Sequence, residues 1–121
     1  MKLRGWGLAA IVLPALMAAS GCHSLHIETK VENRTGSEIR LLEVDYPSAS
    51  FGADSLGSGA SMHYRIQLRG EGLLKVQYTG GDGHQQEIDG PALVEGQEGR
   101  LEIVLLPAGK AEFHPQLSSK H

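Results

Sequence analysis

SMHYRIQLR, residues 61–69, alternates without a slip: Met62, Tyr64, Ile66 and Leu68 fall on one side of an extended chain, and His63, Arg65, Gln67 and Arg69 on the other. A period of two marks a strand buried on one face, whereas an amphipathic helix repeats its apolar residues at intervals of three and four. Working outward, LLKVQYTG sets Leu74, Val76 and Tyr78 against Lys75, Gln77 and Thr79, and SLHIETKVEN sets Leu25, Ile27, Thr29 and Val31 against His26, Glu28, Lys30 and Glu32. Three segments with one period already predict an all-β domain.

The rest of the body agrees. RLEIVLLP carries Leu101, Ile103 and Leu105 on one side and Val104 and Leu106 on the other, which suits a central strand, while HQQEIDGP is polar enough for an edge. In SEIRLLEVDYP the apolar phase slips between Leu41 and Leu42, predicting a bulge or a strand covered on both faces. Gly80-Gly-Asp-Gly83 predicts a hairpin turn, because such turns need positive φ. Residues 47–61, rich in Ser, Gly and Ala, are expected to form a long loop with at most a short edge strand near Phe51. Residues 108–121 are expected to be a loose tail to which Ala111 to Phe113 adds briefly. Six or seven short strands fit a two-sheet β-sandwich of immunoglobulin-like architecture better than a closed barrel.

The N-terminus has a different character. Residues 8–19 carry no charge and are mostly Ala, Leu, Ile, Val and Met, with Lys2 and Arg4 ahead of them. That is the layout of a secretory signal peptide, too short and too interrupted at Pro14 for a spanning helix. It ends at the chain's one cysteine, in Ala19-Ser-Gly-Cys22. These four residues resemble the lipobox of bacterial lipoproteins, and the body resembles small lipoproteins of that kind only diffusely. The resemblance implies cleavage before Cys22, a diacylglyceryl group on its thiol and acylation of the freed amine. Two or three chains anchor stably where one is marginal. It also implies sorting to the outer membrane, facing the periplasm, because His23 replaces the Asp associated with inner-membrane retention. The alternative for Cys22 is a free thiol or an intermolecular disulfide.

Three segments are therefore expected: a signal peptide over 1–21, a sandwich over 22–107 and the tail over 108–121. Losing the signal removes two cations and no acid, so the formal charge moves from −3 to −5. Nucleic acid is not an expected partner of such a chain. With Cys22 consumed by lipid no disulfide staples the fold, and the hydrophobic core must hold it alone.

Candidate chemistry is sparse. Ser61 and His63 share a strand face, but no neighbouring carboxylate or oxyanion donor accompanies them, and G-x-S-x-G is absent. Six histidines lack the H-x-H or H-x₃₋₅-H spacing of a metal site, and the loop at Asp82 lacks the alternating carboxylates of a calcium loop. No cofactor is called for, and no small-molecule substrate is identified. If the strands flanking Gly70-Glu-Gly72 form a hairpin, His63, Arg65, Arg69 and Lys75 share a face and make a cationic strip able to receive an anionic group. Neutralisation across the sheet by Glu28, Glu32 or Glu102 is the opposing expectation.

The function these features suggest is that of a non-enzymatic, lipid-anchored interaction or structural module of the envelope. Its partners would be the membrane, through the N-terminal lipid, and an envelope protein adding a strand near residues 84–89. The second reading is a small-ligand or lipid carrier with residues 47–61 as a lid, which tight packing of Leu74, Val76, Ile103 and Leu105 would oppose.

Overall fold

In the computed structural model, residues 25–119 are described. The signal segment 1–21, Cys22 and His23 lie outside them. Eight strands follow one another: β1 Ile27–Asn33, β2 Ile39–Tyr46, β3 Ala49–Leu56, β4 Ser61–Ile66, β5 Gly72–Thr79, β6 Gln85–Leu93, β7 Gln97–Leu106 and β8 Lys110–Ser119. They form two four-stranded sheets, ordered β4-β1-β7-β8 (sheet A) and β3-β2-β5-β6 (sheet B), packed as a β-sandwich.

Burial follows the alternation. Ile27, Thr29 and Val31 of β1, Leu74, Val76 and Tyr78 of β5, and Leu101, Ile103 and Leu105 of β7 all face the interior. β1 lies between β4 and β7, antiparallel to the first and parallel to the second, so the first strand of the domain is central in its sheet. β6 is at an edge and β7 is central, as their compositions predict. The phase slip in β2 is a bulge: its pairing with β5 shifts register between Arg40 and Glu43, and Leu41 adopts φ 53 and turns its side chain outward.

Two segments differ from expectation. Residues 47–61 are not a loop that could act as a lid, since β3 pairs with β2 from Ile39 opposite Leu56 to Tyr46 opposite Ala49. Gly52 looked like loop composition, but it permits close approach to the bulge: a Cβ there would lie 2.0 Å from the Leu42 carbonyl oxygen. Nor is the tail loose. β8 pairs with β7 over ten residues, from Gln97 opposite Ser119 to Leu106 opposite Lys110. Ala111, Phe113 and Leu117 sit against the core, and Pro115 is tolerated because β8 is an edge strand. The sandwich thus has eight strands and extends to Ser119.

Three hairpins join neighbours within a sheet, β2-β3, β5-β6 and β7-β8, and the other four connections cross between the sheets. The strand directions collect the crossings at residues 34–38 and 57–60 at one end, with the turns 80–84 and 107–109. The other end holds the start of β1, the crossings 67–71 and 94–96, the β2-β3 turn and the end of β8. Aromatic rings close the two long sides. Phe51 of β3 stacks on Tyr64 of β4 at 4.6 Å and 13°, and the Phe113 ring covers Gly90, where a Cβ would lie 2.9 Å from it.

Candidate functional site

The cationic strip does not form. β4 and β5 are not a hairpin: residues 67–71 carry the chain from sheet A to sheet B, with Leu68 drawn into the core and Gly70 at φ 99. His63 and Arg65 therefore stand on the outer face of sheet A, Lys75 stands on the outer face of sheet B, and Arg69 is in the crossing between them. The short glycine-flanked link allowed either a hairpin or a crossing, and the chain takes the crossing.

On sheet A, register places two polar rows across four strands. One runs Arg65, Glu28, Arg100, Gln116, and the next His63, Lys30, Glu102, His114. Arg65 Nε donates to Glu28 Oε2 at 2.7 Å, and Lys30 Nζ lies 3.7 Å from Glu102. Beside these rows, Arg34 Nε donates to Glu32 Oε2 at 2.8 Å, and that hydrogen bond holds the Glu32 carboxyl below the usual range. Neutralisation across the sheet is thus the arrangement present. A depression of about 460 Å³ opens on this face over the Lys30–Glu102 pair, with His63, Arg100 and His114 around it.

Sheet B is unlike it. Glu43, Asp45, Glu87 and Asp89 share an outer face with Lys75 and Gln77. Lys75 Nζ lies 3.5 Å from Glu87, and Gln77 Nε2 donates to Asp45 at 3.4 Å. Glu43 and Asp45 are two apart on one strand face; the hydrogen bond between them and the neighbouring negative charge push the Glu43 carboxyl up.

Among the described residues Ser61 and His63 make no hydrogen bond to each other, and no group of three or more His, Cys, Asp or Glu is placed to hold a metal ion. His26, His84 and His114 each approach a carboxylate two residues away, Glu28, Asp82 and Glu112, at 3.4, 3.0 and 3.3 Å. Between the sheets, Leu74, Val76, Ile103 and Leu105 are fully buried, so the space a carrier would need there is filled with side chains.

The polar residue that sequence reasoning passed over is Asn33. It is completely buried at the end of β1. Its amide Nδ2 donates to the carbonyls of Ser37, Leu56 and Gly57 at 2.8, 2.9 and 3.1 Å, and its Oδ1 accepts from the Thr35 backbone N–H and hydroxyl at 3.0 and 2.8 Å. One side chain ties together both crossings at that end. A signal existed in the sequence: Asn33 continues the inward phase of Ile27, Thr29 and Val31.

No family model matches the chain, and none of the curated proteins compared with it matches. It is similar to a solved NMR structure of a protein from Eubacterium rectale, with a TM-score of 0.55 and 18% identity over 75% of this chain and 89% of that one. That likeness concerns the fold.

Proposed function

We propose that this protein is a lipid-anchored lipoprotein of the bacterial envelope, held at the outer membrane and facing the periplasm, whose β-sandwich is a non-enzymatic interaction or structural module. The observation that carries the reading is the position of the chain's one cysteine: Cys22 ends the uncharged run behind Ala19-Ser-Gly and stands five residues before β1 begins. A lone thiol at that junction is a liability when free and an anchor when acylated. The ion-paired face of sheet A and the filled interior favour a displayed surface over a reaction site or an enclosed ligand.

The deciding experiment is the intact mass of the membrane-extracted protein beside a Cys22→Ala variant made in the same cells. A mass beginning at Cys22 with added acyl chains, lost in the variant, is the expected result; an unmodified thiol or cleavage elsewhere would sink the reading. A partner strand would add to β6, which pairs with β5 on one side and whose residues 85–89 precede Pro91. Crosslinking in intact cells from Gln86 or Glu87 should recover a second protein, and monomer alone would count against that docking mode.

A further inference from the structure

The geometry points to a lipid-contacting surface at the end of the sandwich where β1 starts, with Leu73 and Val94 seated in the headgroup region of the bilayer that holds Cys22. This rests on the anchor reading above and adds an orientation to it. Four large apolar side chains are exposed among the described residues: Leu41, Tyr64, Leu73 and Val94. Tyr64 is engaged in its stack with Phe51, and Leu41 is at the bulge in the other half of the molecule.

The remaining two are neighbours. Leu73 is 58% exposed and pairs with Ala92; Val94, 45% exposed, lies one residue past the end of β6 and two beyond Ala92. Leu73, exposed Ala92 and Val94 thus cluster at one corner of sheet B. Pro47 extends the apolar surface along the same end, since a Cβ on Gly72 would lie 3.5 Å from the Pro47 ring. Arg69, Glu71 and Glu95 border this corner, and the long Arg69 stem can lie on apolar surface with its charge in water.

Chain length selects the occupant. Four residues lie between Cys22 and Ile27, and the five steps reach at most about 17 Å fully extended. Strands of eight to ten residues make the sandwich roughly 30 Å long. An acylated Cys22 therefore keeps the end bearing Leu73 and Val94 beside the headgroups and leaves the Asn33 end projecting away. Two apolar side chains would not hold a soluble protein on a membrane, but once the anchor has removed the cost of association they suffice to orient it.

Tryptophan supplies the test, because Trp6, the chain's one tryptophan, leaves with the signal segment. Leu73→Trp, Val94→Trp and Leu41→Trp proteins, purified from membranes, would be reconstituted into phosphatidylethanolamine–phosphatidylglycerol vesicles with brominated acyl chains, and the intact mass taken on the same samples. The expected result is an acylated mass, with emission from positions 73 and 94 blue-shifted and quenched at least about threefold more than emission from position 41. Acylated protein in which the three positions are quenched alike, or none is, overturns the orientation and leaves the anchor standing. An unacylated mass overturns both.

Discussion

The two ends of the sandwich both turn on Gly, Ser and Glu, yet they are held by different physics. At the Asn33 end a fully buried amide hydrogen-bonds three carbonyls from two crossings, and the β5-β6 turn packs so closely on the first crossing that a Cβ on Gly81 would meet Ser37 Oγ at 2.4 Å. At the other end an exposed hydrogen bond links the crossings, the Gly70 N–H donating to Glu95 at 3.0 Å, while Leu73 and Val94 face outward. Buried hydrogen bonds are costly to lose because the groups left behind have no water to turn to, whereas exposed ones are readily replaced by solvent. The Asn33 end should therefore carry the stability of the crossings, and the opposite end should be free to carry a surface.

The largest effect should come from breaking the buried hub. Asn33→Ala leaves several carbonyls and the Thr35 donors short of partners and is expected to cost about 3 kcal/mol in urea unfolding. Asn33→Asp keeps the shape but sets a carboxylate against three carbonyl oxygens, so it should lose at least as much. A loss under about 1 kcal/mol for both would mean that the hub does not hold the crossings.

Next comes the packing of the two turns at that end. Gly81→Ala places a methyl group 2.8 Å from Ser37 Cβ and should cost about 1–3 kcal/mol. Adding Ser37→Gly should recover most of that cost if the clash is the cause, and a double variant no better than the single would remove this contact from the account.

At the opposite end, Glu95→Ala deletes the exposed link to Gly70 and should change stability by no more than about 0.5 kcal/mol in the same assay. A cost approaching that of Asn33→Ala would erase the contrast between the ends.

The smallest effect expected is electrostatic. The His84 backbone N–H and then the His84 ring hold the Asp82 carboxyl below its usual range, at 2.9 and 3.0 Å. A depressed carboxyl pKa in the folded state stabilises above the ordinary aspartate value, and that contribution is lost as pH falls through the folded value. Between about pH 5 and pH 2, unfolding midpoints should therefore drop slightly more for the natural protein than for Asp82→Asn, and carboxyl NMR should show Asp82 titrating below free aspartate. Parallel pH profiles would show that the turn gains nothing from this charge.

The cationic strip failed for a reason that bears on the site as a whole. Which faces His63, Arg65 and Lys75 occupy is local information, and each does point outward from its strand. Whether those faces belong to one sheet depends on the path of residues 67–71, which cross between the sheets despite their turn-like glycines. β3 and β8 were illegible for another reason. Small residues and a central proline suppress strand propensity, while edge positions, the bulge at Leu41 and the aromatic closures by Phe51 and Phe113 supply the burial that makes those segments extended.

The alternation of apolar and polar side chains determined by itself that the domain is all β, which residues of β1, β5 and β7 face inward, and that β2 must slip phase near Leu41. These are properties of one extended chain with a two-residue period. Tertiary structure alone decided that β1 lies between β4 and β7, that β4 and β5 part company, and that Asn33 reaches the Leu56 carbonyl, 23 residues away along the chain. Each of those outcomes is a choice of partner made by hydrogen bonds and packing between distant segments, and no local period encodes a partner.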